Sequence, residues 1–136
     1  MDVRERLENV RRMDELINAK LEERDRLIAL ATDINAKPLD GMPYDNTGTV
    51  SRKMENAVVK LIDLARETDK LIDEYIDHKK AVIAALEKLP EREYAVLHRH
   101  YIRYMSWAMV ARDLNYSDMQ VWRIKKNGLK ILEKFL

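Results

Sequence analysis

The amino-acid sequence predicts an all-α protein with two parts: a long antiparallel, coiled-coil-like helical hairpin over residues 1–89, and a three-helix helix-turn-helix domain over residues 90–136. Three observations predict this fold. The 136 residues include only three Gly and three Pro, and 36% of them are charged, a composition that favours long helices over sheets. Apolar residues recur at steps of three and four through most of the first 89 residues. From Ser106 onward, two shorter helical patterns flank a tight turn.

The first helix is predicted over residues 2–36, because apolar residues recur there at helical spacing with charged residues between them. These apolar residues are Val3, Leu7, Val10, Ile17, Leu21, Ile28, Ala31 and Ile34. The next 14 residues, Lys37 to Val50, contain two prolines and two glycines and are predicted to form a loop. Because this loop is long for a helix–helix connection, its degree of order is left open.

The second helix is predicted from Ser51 to Leu89, where apolar positions alternate at steps of four and three like a heptad seam. The seam residues are Met54, Val58, Leu61, Ala65, Thr68, Ile72, Tyr75, Lys79, Val82, Leu86 and Leu89. A helix this long cannot be buried in a small globule, so it should pair with the first helix. A second apolar stripe could form a homodimer or could pack onto the C-terminal domain: Ile62, Leu64, Leu71, Ile76 and Ile83.

Three shorter helices are predicted after Pro90, which suits the first turn of a new helix and disfavours helix at the residue before it. The first should run from Glu91 to Tyr104. The second begins after Ser106, a favourable N-cap, and has an apolar face of Trp107, Val110, Ala111 and Leu114. After a break at Asn115–Tyr116, a recognition helix is expected within residues 117–135, with an inward stripe of Val121, Ile124, Gly128, Ile131 and Leu132. Gly128 would allow a neighbouring helix to approach closely.

Basic charge is concentrated in the C-terminal part of the chain. Residues 1–89 contain 16 basic and 19 acidic residues, a net charge of −3, whereas residues 90–136 contain nine basic and five acidic residues, a net charge of +4. The whole chain has a net charge of +1. The helix-turn-helix pattern therefore coincides with the electrostatic footprint that binding to a phosphate backbone requires.

The C-terminal part resembles region 4 of sigma-70-type factors. The likeness rests on an L-x-x-L-P-x-R-E motif at Leu86–Glu93, on S-W-x-x-V-A-x-x-L from Ser106, and on S-x-x-x-V-x-x-I-x-x-x-G-L-x-x-L from Ser117. The chain as a whole resembles the small phage regulators of the RinA and ArpU type, whose interhelical loop is similar to Leu39–Pro43. This resemblance implies binding to a promoter or late-gene control site, and it leaves open a contact with host RNA polymerase.

If the recognition helix enters the major groove of double-stranded DNA, its first residues face base edges and later basic residues reach phosphates. Gln120 and Arg123 are then the hydrogen-bonding readers of adenine and guanine, and Met119 and Trp122 contact thymine methyls or sugars. The candidate DNA-binding residues are Arg103, Ser106, Arg112, Ser117, Met119, Gln120, Trp122, Arg123, Lys126 and Lys130. Trp107 is expected in the core. Ser117–Asp118 offers a cap for the recognition helix, and Asp118 is expected to serve in capping rather than to contact phosphate.

The sequence contains no pattern typical of an enzyme, such as a Gly-rich phosphate loop or an activated nucleophile. Cysteine is absent, and His98 and His100 point to different helix faces, so neither a metal site nor a cofactor is expected. No apolar run is long enough to span a membrane, and we expect a soluble protein of the bacterial cytoplasm. The alternative to a DNA-binding regulator is a helical protein-interaction adaptor that contacts RNA polymerase or another partner without reading DNA.

Overall fold

The computed structural model describes residues 2–36 and 47–136. These residues form five α-helices and no strand, which confirms the predicted all-α fold. The helices are α1 (Val3–Ala36), α2 (Thr47–Leu86), α3 (Glu91–Tyr101), α4 (Trp107–Leu114) and α5 (Asp118–Leu132). In the ranges described, no helix combines the length and the apolar character that crossing a membrane would require.

Several predicted boundaries are wrong. A loop is predicted over residues 37–50, but residues 47–50 belong to α2. The other residues of the predicted loop, which include the Leu39–Pro43 motif, lie outside the described residues. Helix α2 ends at Leu86 instead of Leu89, and the amide of Leu89 donates to the Leu86 carbonyl at 3.0 Å in a tight turn before Pro90. This early end follows from the proline, which disfavours helical backbone at the residue before it.

Helix α3 ends three residues before the predicted Tyr104. The Arg103 amide donates to the His98 carbonyl at 3.1 Å, and the Met105 amide donates to the Arg99 carbonyl at 3.0 Å. Between these two amides, Tyr104 adopts a positive φ of 59°, a left-handed conformation that is incompatible with continuing a right-handed helix and that aims the Met105 amide back at Arg99. Helix α5 likewise covers residues 118–132 of the predicted 117–135.

The described chain groups into two compact units. The first unit, Met1–Glu15 with Glu74–Leu136, combines the first turns of α1, the end of α2 and the three C-terminal helices. Its larger core cluster contains Val3, Leu7, Val10, Val82, Ala85, Leu86, Leu89, Leu97, Tyr101 and Leu132. A second cluster contains Val96, Val110, Ala111, Val121 and Ile124. The domain boundary predicted at Leu89 remains a prediction.

The second unit, Leu16–Asp73, combines the rest of α1 with the first part of α2. Its buried side chains are Ile17, Ala57, Leu64 and Thr68. The Lys20 ammonium pairs with the Glu67 carboxylate at 3.0 Å, whereas in the first unit the Arg6 carbonyl lies 2.7 Å from Nε2 of His78. Later residues of α1 therefore meet earlier residues of α2, as an antiparallel hairpin requires.

Two positions of the seam predicted for α2 are wrong by one residue in the second unit, whereas the seam residue Thr68 is buried as predicted. Val58 and Ala65 are exposed, whereas Ala57 and Leu64 are buried. Leu64 had been assigned to the second stripe, which is therefore not free at that position. Two apolar heptad patterns lie side by side on this helix, so the sequence of α2 alone does not determine which of them is buried. Packing against α1 determines it.

Candidate nucleic-acid interface

Helix α4 and the turn after it have the capped ends that the sequence predicts. The Ser106 hydroxyl accepts a hydrogen bond from the Met109 amide at 3.2 Å, which satisfies one of the free donors of the first turn. At the other end, Asn115 has a left-handed φ of 55°. The Tyr116 amide then donates to the Ala111 carbonyl at 2.9 Å and closes the turn. A side chain such as asparagine tolerates this conformation better than most residues do.

Helix α5 begins with a reciprocal capping box between Ser117 and Gln120. The Ser117 hydroxyl accepts the Gln120 amide at 3.1 Å, and Oε1 of Gln120 accepts the Ser117 amide at 2.9 Å. Ser117, rather than Asp118, is therefore the cap, and Asp118 occupies the first helical position. The carboxylate of Asp118 is favourable there because the helix N-terminus is partly positive.

The capping box changes the interpretation of Gln120. Reading adenine with two hydrogen bonds requires the side-chain amide to donate through its NH₂ and to accept through its oxygen. That oxygen already accepts a bond within the protein. The Gln120 NH₂ is the part of the side chain that has no role in the cap.

The two faces of α5 separate as predicted. Val121, Ile124, Gly128 and Leu132 are buried. The predicted contact residues on this helix are all exposed: Met119, Gln120, Trp122, Arg123, Lys126 and Lys130. Met119 and Trp122 have exposed fractions of 58% and 53%, which are high for large apolar side chains. An apolar side chain held in water on a basic face is more typical of a contact surface than of a core.

Close packing against α3 holds this face outward. A Cβ atom added to Gly128 would lie 2.7 Å from Cδ1 of Leu97 and 3.3 Å from Cβ of Glu93, which is closer than a real side chain tolerates. Nearby, Nδ2 of Asn127 donates to the buried carboxylate of Glu93 at 3.1 Å. The predicted role of Gly128 in helix packing is confirmed by this geometry.

Two lysines of α5 lie against the two tryptophans. The Lys126 ammonium lies 4.9 Å from the ring centroid of Trp122, and the Lys125 ammonium lies 4.7 Å from that of Trp107. These distances are typical of cation–π interactions, which place a cation beside each ring. Trp107 is half-buried and packs against both core clusters, so the prediction that it belongs to the core holds for part of the ring.

The two remaining predicted arginines lie on other elements. Arg103 is exposed in the connection between α3 and α4, and Arg112 is exposed in the last turn of α4. Ser106 is also exposed, at the start of α4. The roles of these three residues in binding DNA remain predictions.

Side chains that the sequence-based set did not include also reach this surface. A groove of about 330 Å³ is lined by Arg123 and Gln120 from α5 and by Arg92 and Glu93 from α3. The sequence could have identified Arg92 as a candidate residue, because it is the basic residue of the L-x-x-L-P-x-R-E motif. Lys125 is not among the candidate residues, because its contact with Trp107 cannot be derived from spacing along the chain.

The surroundings of the two histidines of α3 lower the pKa of both side chains. Burial, together with repulsion from Arg103, Arg99 and Lys79, lowers the pKa of His98. Burial also lowers the pKa of His100, whose ring stacks on Trp107 with the centroids 3.7 Å apart. Within residues 2–36 and 47–136, no three His, Cys, Asp or Glu side chains are grouped as metal ligands would be.

Comparison with known protein families supports this description of the C-terminal helices. Residues 85–134 match the family described as Sigma-70, region 4, and this range contains all of α3, α4 and α5. The C-terminal part is therefore a sigma-70 region 4-like helix-turn-helix, a class of DNA-binding domain. No curated protein and no solved structure matches the chain. The likeness to the RinA and ArpU regulators stays a prediction.

Proposed function

We propose that this protein is a sequence-specific, DNA-binding transcriptional regulator that places α5 in the major groove of double-stranded DNA. The observation that carries the proposal is the outward face of α5, on which Trp122, Arg123 and Lys126 are exposed over a buried stripe. A capped, rigidly packed helix with a basic outer face has the properties that major-groove readout requires.

Arg123 is the best candidate for reading base identity. Its guanidinium is exposed one turn into the helix, and arginine can donate two parallel hydrogen bonds to the edge of guanine. Met119 and Trp122 present apolar surface for thymine methyl groups or sugars. Gln120 contributes through its free NH₂ group, since its oxygen belongs to the capping box.

Contacts with the DNA backbone would come from residues around the reading face. Lys126 and Lys130 continue the basic face along α5, and Arg103 and Arg112 supply charge from neighbouring elements. The first-turn amides of α4, next to Ser106, suit a phosphate because a helix N-terminus carries partial positive charge. Such contacts fix the orientation of the protein without reading sequence.

The finer proposal is an activator of phage late genes that acts in the cytoplasm of a bacterial host cell. The resemblance of the whole chain to RinA and ArpU regulators supports it, as does the sigma-70 region 4-like C-terminal part. In this proposal, residues 1–89 form an interaction arm and residues 90–136 form the DNA-binding domain. A contact with host RNA polymerase belongs to the same proposal.

Selection of bound duplexes from a random pool, followed by footprinting near the gene's own neighbours, tests the proposal directly. We expect a defined site to be enriched, and we expect its affinity to fall steeply with salt, because phosphate contacts release counterions. A pool that shows no enriched sequence would contradict sequence-specific binding. A reporter placed behind the selected site then tests whether the protein activates transcription.

Replacing Arg123 separates base reading from backbone binding. Arg123→Ala should weaken binding to the selected site by roughly 1–3 kcal/mol more than binding to random DNA, if a bidentate base contact is lost. Lys130→Ala is the matched control, since loss of a phosphate contact should weaken both complexes equally. Equal losses for Arg123→Ala on the two DNAs would show that Arg123 holds only the backbone.

A second candidate function is a helical adaptor, and exposed apolar side chains of α2 favour it. Val58, Val59 and Ile62 have exposed fractions of 45%, 56% and 48%. Surface of this kind is typical of a partner-binding face, and we propose a homodimer through this part of α2. Sedimentation at micromolar concentration tests the dimer, which a monomer mass would exclude. Absence of salt-dependent DNA binding would leave the adaptor as the better description.

A further inference from the structure

The first turns of α1 pack directly onto the helix-turn-helix. Val3, Leu7 and Val10 are buried in one core cluster with Leu97 of α3 and Leu132 of α5. Because these residues lie about one helical turn apart, they form one face of the first three turns of α1, and this face is buried in the cluster. Side chains on the flank of this buried stripe are thereby brought to the edge of the surface proposed to bind DNA.

Arg11 and Arg4 occupy that flank. The Arg11 guanidinium lies 5.6 Å from the ring centroid of Tyr104, and Arg11 lines a small cavity with Glu8, His100 and Tyr101. Arg4 is one helical turn before Glu8 and pairs with its carboxylate at 3.2 Å. Both arginine side chains remain about as exposed as on a free helix surface, with exposed fractions of 60% for Arg4 and 59% for Arg11.

Lys125 connects these arginines with α5. Its pKa is lowered by burial and, next, by repulsion from Arg4, while Glu8 opposes the shift. The ammonium also lies 4.7 Å from the ring of Trp107, the first residue of α4. The Trp107 ring in turn stacks on the ring of His100 with the centroids 3.7 Å apart, and His100 lines the same small cavity as Arg11 and Glu8. Basic side chains of α1 and α5 therefore border one aromatic group.

Folding alone does not explain this arrangement. Bringing like charges from different elements together costs free energy, unless an anion lies near them. Two carboxylates of α1, Glu8 and Glu15, pair with Arg4 and Arg11 in exposed i,i+4 pairs. Exposed pairs of this kind contribute little and exchange readily for another anion.

We propose that Arg4 and Arg11 of α1 extend the DNA-binding surface beyond the helix-turn-helix by contacting the phosphate backbone beside Lys125. The inference rests on the proposed function and adds to it a contact from outside the C-terminal domain. A duplex is favoured over an acidic protein segment because basic side chains of α5, the proposed recognition helix, border the same aromatic group. The N-terminal helix would then be part of the DNA-binding element.

The test uses the full chain and a duplex that contains the selected site. Arg4→Gln with Arg11→Gln removes both charges while keeping long, helix-compatible side chains. The slope of log affinity against log salt should become shallower by about 1.8, because each phosphate contact contributes about 0.9. Arg12→Gln is the control, since Arg12 is exposed on the same helix but on another face. We expect its slope to match that of the wild-type protein.

Two further variants separate charge from packing. Arg4→Lys with Arg11→Lys keeps both charges, so its salt slope should stay that of the wild type; a shallower slope would mean that guanidinium packing on Tyr104 is responsible, and would overturn the inference. If thermal melting shows that the double Gln variant is unfolded, Arg4→Gln alone, which does not touch Tyr104, should lower the slope by about 0.9.

The possible failures are distinguishable. A wild-type protein with no salt-dependent binding to duplex DNA overturns the proposed function itself. If the wild-type protein binds with a steep salt slope and the double Gln variant has the same slope, only the proposed contact from α1 is overturned. An equal decrease for Arg12→Gln would show a general charge effect and would also overturn it.

Discussion

The two compact units bury apolar side chains to different extents. Every large side chain with an exposed fraction below 2% among the described residues belongs to the first unit: Leu7, Leu86, Leu97, Leu132, Val10, Val82, Val96 and Val110. In the second unit, several large apolar side chains are about half exposed: Leu16, Ile28, Leu30, Val58, Val59 and Ile62. Large apolar side chains are thus present in both units, but fully buried ones are found in the first unit.

This difference shows where stability and interaction reside. In the first unit, five helical segments contribute buried side chains to two core clusters, so apolar faces of several segments cover one another. In the second unit, two helices alone can cover only the stripe between them, and apolar side chains on the other faces stay in water. We therefore expect global stability to depend on the first unit, and local opening or partner binding to concentrate in the second.

The largest expected effect on the free energy of unfolding comes from a substitution in the core of the first unit. Leu97 is fully buried, so Leu97→Ala should lower the free energy of unfolding by about 2–5 kcal/mol through lost burial and the cavity left behind. Ile62→Ala, in the second unit, should change it by about 0.5 kcal/mol or less in the monomer. Urea unfolding followed by circular dichroism measures both values.

A similar cost for the two variants would contradict the contrast between the units. A cost for Ile62→Ala that grows with protein concentration would instead sharpen it, because an interface through α2 would then contribute to stability.

A smaller effect tests the close approach of α5 to α3. Gly128→Ala improves helix propensity by about 1 kcal/mol but places a Cβ atom 2.7 Å from Cδ1 of the buried Leu97. Overpacking of this kind costs about 1–3 kcal/mol, so we expect a net loss of about 1 kcal/mol. Thermal unfolding measures it. Net stabilisation would show that Leu97 can move aside and that packing in the first unit is looser than the distances indicate.

The smallest expected effect lies in the second unit. Thr68 is buried, and its hydroxyl donates to the Leu64 carbonyl at 2.6 Å within the same helix. Thr68→Val keeps the shape and removes only this local bond, so stability should change by about 0.5 kcal/mol or less. The same urea titration tests this value. A loss above about 2 kcal/mol would indicate that the hydroxyl has a further role between α1 and α2.

Local chemistry made much of the helix-turn-helix predictable. Ser106 and Ser117 cap helices as their residue type and position indicate, and the inward stripe through Val121 and Leu132 follows from a period of 3.6. Because Arg123 and Lys126 lie on the opposite face of the helix from this stripe, the same period predicts that they are exposed. Each of these features depends on residues within one or two turns, which spacing along the chain describes directly.

Other features of the candidate site were not predictable in this way. Spacing identified Gln120 as a polar residue of the recognition helix, but it did not show that its oxygen would be used by the cap. Nor did it show that Arg11 would lie against Tyr104, because these residues are more than 90 positions apart in the chain. In α2, two neighbouring apolar stripes satisfied the same pattern, and the one that was selected proved partly exposed.

The order of amino acids established the helices, the N-caps of α4 and α5, and which face of the recognition helix is apolar. These properties arise from interactions between near neighbours in the chain. Packing of distant segments determined which stripe of α2 is buried, why Gly128 has no room for a side chain, and which basic residue of α1 lies against Tyr104. The physical reason is that burial depends on which apolar surfaces fit together in three dimensions, and several local patterns are compatible with each fit.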